Sequence, residues 1–285
     1  MLYKTSDSIP ALVINLARSA DRLAFQQAQL SALGIPMQRL AAISTDQMDA
    51  VQYESLANSW ERKLRPAEVA CFLSHQAAWQ HVADTSQPWL ILEDDALLSR
   101  QVPDLLAALS VNPQQADLIT LETRNRKKLI GRGAYPVGAH FSLRRLYQDR
   151  TGAAAYVLYP EGAHKLLQKA RRHGPGLADA FISSSYELNA WQVVPAGAIQ
   201  LDQCEAYGLP FDNPFASTIT PAGSKRPAAC SLFKLMGFKA RRLGSQLKMG
   251  LRQLLVSGSA DRVFITINPN DFKLSVSGLS RGGGC

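Results

Sequence analysis

The chain has 285 residues, 46% of them hydrophobic and 19% charged, and a net charge of +8. That length can bury a full core, as one large domain or as one domain with an appendage. The four cysteines, Cys71, Cys204, Cys230 and Cys285, fit neither a zinc-ligand spacing nor a dense disulfide framework, which argues against both classes and for a reducing compartment.

The charge is unevenly placed. Lys225, Arg226, Lys234, Lys239, Arg241, Arg242, Lys248 and Arg252 follow one another with no acidic residue between them, while the rest of the chain carries 23 basic and 23 acidic side chains. The excess therefore sits in the tail and points to an anionic partner there. The stretch from Met1 to Asp7 lacks the charged-then-apolar plan of a signal peptide, and no apolar run approaches the roughly 20 residues of a membrane span. A cytoplasmic protein is expected.

Residues 11–16 read as a buried strand. Residues 19–33 read as a helix with Leu23, Leu30 and Leu33 on one face, ended by Gly34 and Pro36. A second strand over 37–43 completes a βαβ opening, which predicts an α/β protein with a parallel, helix-covered sheet. Residues 44–65 read as loop with a short helix. Pro66 and Glu68 start a helix that runs to residue 82, with Cys71 as a small core residue on the face of His75, Ala78 and Val82. Trp89 to Leu92 has the composition of a buried parallel strand and ends abruptly in Glu93-Asp94-Asp95.

A helix over 103–109 and a strand over 117–121 come next. Residues 122–150 are basic and glycine-rich, either a lid beside a phosphate site or a solvated loop. A strand over 154–159, a helix over 161–172, a helix over 179–189 and a strand over 191–199 follow; residues 200–224 look irregular. From 231 to 256, Leu232, Leu235, Met236, Leu243, Leu247, Leu251 and Leu254 alternate with basic residues at roughly helical spacing. This basic amphipathic stretch either meets a membrane surface or packs on the domain, and Gly237, Gly244 and Gly250 weaken any single long helix. Residues 263–267 are strand-like. The chain divides into residues 1–222 and a basic C-terminal region, residues 223–285.

Three acids in a row cannot stay buried and charged without partners. They belong at the strand's C-terminal edge, where open α/β sheets bind ligands. Hard oxygen ligands gathered there suit Mg²⁺ or Mn²⁺ holding a phosphate. The competing reading makes them the acidic start of a following helix, capped by Asp94 or Asp95. Dinucleotide, P-loop, GxSxG and HExxH patterns are all absent.

Four segments, taken in order, resemble glycosyltransferase family 25, the lipooligosaccharide biosynthesis glycosyltransferases. They are Val13-Ile14-Asn15-Leu16-Ala17-Arg18-Ser19-Ala20-Asp21-Arg22, then Ala67-Glu68-Val69-Ala70-Cys71-Phe72-Leu73-Ser74-His75, then the strand ending in Glu93-Asp94-Asp95, then Gly152-Ala153-Ala154-Ala155-Tyr156-Val157 with Gly162-Ala163 and Leu166-Leu167. Together they span roughly residues 11 to 200. Ala67 and Ala70 stand where the family has glycines. The resemblance implies a GT-A-like fold, a nucleotide-binding sheet joined to an acceptor-binding part. It also implies inverting transfer of a sugar, often galactose, from a UDP donor.

By that resemblance Asp95 contacts a divalent cation, Mn²⁺ or Mg²⁺, with Glu93 and Asp94 assisting through ribose, water or the cation's outer shell. Asn15, Arg18 and Arg22 follow the first strand at the same sheet edge. Arg18 and Arg22, four apart, are aimed at diphosphate or base, unless Asp21 and Arg22 form a local ion pair. Ser44 meets the nucleoside, and Ser74 and His75 line or brace the pocket. An inverting transfer needs a general base; Asp179 is the first candidate, with helix capping as its alternative and Glu122 and Glu187 in reserve. The expected partners are a UDP-sugar, a lipid-linked oligosaccharide acceptor and, through the tail, an anionic membrane surface, with no nucleic acid. This places the protein in the cytoplasm, peripheral at the inner face of the inner membrane. The rival readings are another cation-dependent phosphate enzyme and a non-enzymatic binder of polyanions or membranes.

Overall fold

The computed structural model describes residues 8–149, 152–209, 215 and 232–272. The N-terminal stretch before Ser8, Arg150, most of the irregular segment after Leu209, Cys230 and Cys285 lie outside the described residues. The chain opens with β1 (Ala11–Asn15), α1 (Ala20–Ala32) and β2 (Met37–Ala41). A 3₁₀ turn, Thr45–Gln47, leads to α2 (Ala50–Leu56), capped by the Asp49 carboxylate, and then to α3 (Pro66–Thr85). After α3 come β3 (Trp89–Glu93), β4 (Ala96–Leu98), α4 (Val102–Leu109) and β5 (Leu118–Thr120). The remainder is β6 (Lys127–Val137), β7 (Phe141–Gln148), β8 (Ala155–Leu158), α5 (Pro160–His173), α6 (Ala178–Ser183), β9 (Ala190–Val194), β10 (Ala198–Gln200), α7 (Leu232–Val256) and β11 (Ala260–Phe264).

Among the described residues, nine strands form one mixed sheet in the order β11-β6-β7-β9-β5-β8-β3-β1-β2, and β4 and β10 form a small antiparallel pair. The βαβ opening is parallel as expected, with β1 between β2 and β3. β8 runs antiparallel to both β3 and β5, so β3 and β5 point the same way. Asn15, Glu93 and Glu122 therefore emerge at one edge of the sheet. Apolar clusters cover both faces of the central strands, one including α4 and the other α3, α5 and α6. Helix α5 lies so close to β5 that a side chain at Gly162 would place Cβ 2.2 Å from the Asp117 carbonyl, which requires glycine there.

The structure departs from the sequence reading at several places. The acidic triplet does not start a helix: β4 follows at once and α4 begins only at Val102. The basic segment after Glu122 is not a loop or lid but the β6–β7 hairpin. Its Leu129, Ile130, Leu143 and Leu146 are buried, and such a pattern holds a strand even among basic residues. The expected strand over 191–199 breaks into β9 and β10 around Pro195, whose missing N–H cannot serve a ladder. The expected helix over 179–189 stops at Ser183. Cys71 is exposed, whereas His75, Ala78 and Val82 of the same helix are buried. Helix α7 is continuous over 25 residues through its three glycines. The C-terminal region supplies β11, which closes the sheet beside β6.

Candidate active site

The site grows from three junctions at the shared sheet edge. Asn15 ends β1, Arg22 lies in the first turns of α1, and Glu93-Asp94-Asp95 leave β3. The Asn15 amide donates to Asp94 Oδ2 at 2.8 Å and to the Ser19 carbonyl at 2.9 Å. Arg39 in turn donates to Asn15 Oδ1 at 3.1 Å, fixing the amide's orientation. Arg22 reaches across to Asp94 Oδ1 at 3.1 Å and stands 3.8 Å from Asp95 Oδ2. Arg22 is thus paired with the triplet, and its guanidinium carbon lies 5.7 Å from the centre of the Phe215 ring.

From more than a hundred residues further along the chain, Gln200, paired in register with Ala96, donates to Glu93 Oε2 at 3.2 Å and Asp95 Oδ1 at 3.4 Å. Asp95 is pushed up to about 7, first by burial, then by the charges of Glu93 and Asp94, with Arg22 opposing. Burial also raises Asp94 despite its bonds from Asn15 and Arg22. Three carboxylates facing one close guanidinium leave unmatched negative charge, the condition a divalent cation satisfies.

Helix α3 braces the site from beneath. His75 is fully buried, with Nε2 3.1 Å from Glu93 Oε1 and Nδ1 3.0 Å from the Tyr156 hydroxyl. Trp79 Nε1 donates to the same hydroxyl at 3.0 Å. An ionised Glu93 only accepts, so His75 donates from Nε2, and its Nδ1 accepts from Tyr156, whose oxygen accepts from Trp79. Ser74 is buried in a structural role: it accepts from the Ile43 N–H at 2.9 Å and donates to the Ala70 carbonyl, anchoring the end of β2. Ser44 and Arg18 meet on the open side, Arg18 donating to Ser44 Oγ at 3.4 Å.

Two cation sets share Glu93. The thiol of Cys71, a ring nitrogen of His75 and a carboxylate oxygen of Glu93 lie within 4.8 Å of one another, a softer set of the kind zinc takes. Glu93 with Asp95 is the hard-oxygen set that Mn²⁺ or Mg²⁺ prefers. Asp179 sits at the start of α6, where Oδ1 accepts from the Ala180 N–H at 2.7 Å; burial first, and then Glu93, raises it. Glu187 is exposed beyond α6.

Glu122 is fully buried and pushed up to about 8, mainly by burial. Its Oε2 accepts from the Ala154 N–H at 2.8 Å, while Oε1 has no hydrogen-bond partner among the described residues. A side chain at Gly152 would collide with it, placing Cβ 1.7 Å from Oε1. From pH ~4.5 to 8 the native state holds a proton on Glu122 that the unfolded chain has lost, so this group's stability contribution falls as pH rises through that window. Glu122→Gln is expected to remove that slope, about 1 kcal/mol per pH unit. Denaturant midpoints from pH 5 to 8 check this; parallel curves for the two proteins would refute it.

On the other side of Tyr156 opens a cleft of about 500 Å³, its open mouth included, lined among others by Thr120, Gln148, Asp149, Ser183, Tyr186 and Arg252. Thr120 Oγ1 and Gln148 Nε2 are buried there without hydrogen-bond partners among the described residues.

The family model described as Glycosyltransferase family 25 (LPS biosynthesis protein) matches residues 8–181, well over half of the chain. The chain belongs to glycosyltransferase family 25. It is 26% identical over 165 residues to the Lacto-N-neotetraose biosynthesis glycosyltransferase LgtE of Neisseria meningitidis serogroup B, covering 55% of this chain and 59% of that protein. It is 28% identical over 203 residues to the Lipooligosaccharide biosynthesis protein lic2B of Haemophilus influenzae, covering 67% and 76%. The human Procollagen galactosyltransferase 2 is 29% identical over 140 residues, 44% of this chain and 21% of its own length. The chain spans less than two thirds of the length of the first of these relatives. The segment matched to family 25 carries every candidate site residue expected from the sequence, from Asn15 to Asp179, except Glu187; Gln200 lies beyond it.

Proposed function

We propose that this family 25 chain is an inverting, divalent-cation-dependent glycosyltransferase. It moves a hexose, galactose foremost, from a UDP-sugar to a lipooligosaccharide or related lipid-linked glycan at the inner face of the cytoplasmic membrane. The observation that carries the reading is the convergence of Asn15, Arg22 and Gln200 on Glu93-Asp94-Asp95 at the sheet edge. The mixed α/β sheet is consistent with a GT-A-like fold, and the galactosyl donor draws on the name of the human relative.

Asp95 and Glu93 would hold Mn²⁺ or Mg²⁺, which supplies positive charge to the departing diphosphate. Arg22 and Asn15 fix Asp94 and so set the direction of the triplet. Arg18, exposed beside Ser44, is free to reach the diphosphate or base, and Ser44 to meet the nucleoside. The relay from Trp79 through Tyr156 to His75 holds Glu93 in one orientation. Asp179 is the proposed base: a carboxylate raised toward neutrality accepts a proton from an acceptor hydroxyl more readily than an unshifted one. Glu122 is a weaker candidate, because it keeps its own proton to about pH 8. The cleft behind Tyr156, with the unmet hydrogen-bonding groups of Thr120 and Gln148, is suited to acceptor hydroxyls.

Thermal unfolding with a panel of nucleotides tests the donor and the cation together. UDP with Mn²⁺ is expected to stabilise by about 2.7 kcal/mol at a hundred times its dissociation constant, and UDP alone by far less. A flat response to every nucleotide, with and without Mn²⁺, would remove the transferase reading. Turnover of a UDP-sugar with no glycan acceptor present would instead favour another phosphate-processing enzyme.

A further inference from the structure

Helix α7 is docked through one aromatic ring and three polar side chains. The residues that hold it to the body are Phe238, which is buried, Arg241, Arg252 and Gln253. Arg241 donates to the Trp60 and Asn58 carbonyls at 2.7 and 2.9 Å. Arg252 donates to the Tyr147 carbonyl at 2.7 Å and covers the Tyr186 ring at 4.7 Å, and Gln253 bonds Gln148. Phe238 and Arg241 are three apart, and Arg252 follows Arg241 by about three helical turns with Gln253 beside it, so these contacts define one face.

The large apolar residues lie on another. Met236, Leu243, Leu247, Leu251, Leu254 and Leu255 are between 58% and 75% exposed. Their spacings of seven, four, four and three, with Leu255 beside them, make one stripe along the helix, turned away from the docked face. At 1.5 Å per residue the stripe is roughly 30 Å long. Exposed Lys239 and Lys248 flank it; Arg242 is exposed too, but it lies four residues from Phe238, on the docked side. No helix among the described residues is long and apolar enough to cross a membrane.

We propose that this stripe is a docking surface for an anionic lipid bilayer, on which α7 lies flat with its leucines in the headgroup–acyl boundary. Two features of the chain select that occupant. The stripe is apolar and long, so an anion in solution would leave its leucines in water. Its surroundings are basic with no acid between Lys225 and Arg252, so a second copy laid on the same face would set lysine against lysine, whereas anionic headgroups match the charge. The two arginines bonded on the docked face are spent on the body, which leaves Lys239 and Lys248 for the surface. This orientation brings the membrane to the helix that also supplies Arg252 to the cleft behind Tyr156.

Flotation of the full chain with vesicles, in the absence of nucleotide and sugar, tests this apart from any transfer activity. The chain is expected to float with phosphatidylcholine vesicles containing phosphatidylglycerol and to stay behind with phosphatidylcholine alone. Leu243→Ser/Leu247→Ser/Leu251→Ser should lower the partition at least about tenfold, and Lys239→Glu/Lys248→Glu by about a hundredfold. Both sets are exposed, so an unchanged melting temperature is the expected control for folding. Equal flotation of the leucine variant, or none of the wild type on anionic vesicles, overturns the proposal. A concentration-dependent dimer that the leucine variant abolishes, with no vesicle binding, would assign the stripe to a second copy instead.

Discussion

Asp95→Asn is expected to lower kcat/KM for glycosyl transfer roughly 10³-fold, about 4 kcal/mol of transition-state stabilisation, without unfolding the protein. Asparagine keeps the size of the side chain and an oxygen for the Gln200 amide, but it removes the charge a divalent cation needs. The fold does not depend on that charge. In the wild type, burial and the neighbouring Glu93 and Asp94 push Asp95 up to about 7. From pH ~4 to 7 the native state therefore retains a proton that the unfolded chain has given up, and stability drains away as pH rises. Above pH 7 the cation-free variant should accordingly melt at or above the wild-type temperature. Three readouts separate the roles: transfer lost, Mn²⁺-dependent stabilisation by UDP lost, cation-free melting held. Retained Mn²⁺-dependent stabilisation would take Asp95 out of the cation site and turn attention to the set of Cys71, His75 and Glu93.

Much of this site was legible because its parts lie near strand ends. The apolar run of Trp89 to Leu92 and the abrupt triplet after it specify both a buried strand and its polar terminus, and β3 bears that out. The βαβ opening likewise placed Asn15 and Arg22 beside the triplet, since parallel neighbours end at one edge. What the sequence hid were contacts made at long range. Gln200 reaches Glu93 and Asp95 only because β10 pairs with β4, and nothing local marks that pairing. Tyr156 falls in the expected strand over 154–159 and Trp79 in the expected helix from Pro66, but their hydroxyl and indole roles depend on α3 crossing β8. Cys71 looked apolar by helical spacing, yet α3 tilts it toward the open site rather than the core. The hairpin of β6 and β7 was obscured because composition, basic and glycine-rich, outweighed an alternation that tertiary pairing then enforced.

The hairpin also carries the largest expected loss of stability. Lys128 on β6 is fully buried, and its ammonium meets Asp149 Oδ2 at 2.6 Å, Gln192 Oε1 at 2.7 Å and the Glu122 carbonyl at 3.0 Å. All three donors of the ammonium are thereby used. Lys128→Met keeps the length of the stem and deletes the charge. It removes the Lys128 ammonium from the buried Asp149 carboxylate and takes away the cation that opposes the upward shift of Glu122. Breaking a buried pair from one side costs about 3–5 kcal/mol, because the remaining charge keeps its desolvation penalty. At roughly 2–4 °C per kcal/mol the melting temperature should fall by on the order of 10 °C. The double variant Lys128→Met/Asp149→Asn removes the remaining charge as well and is expected to recover part of that loss. A double variant no more stable than Lys128→Met alone would mean that the ammonium acts through Gln192 and the Glu122 carbonyl, and that the charge pair contributes little to holding the hairpin on the sheet.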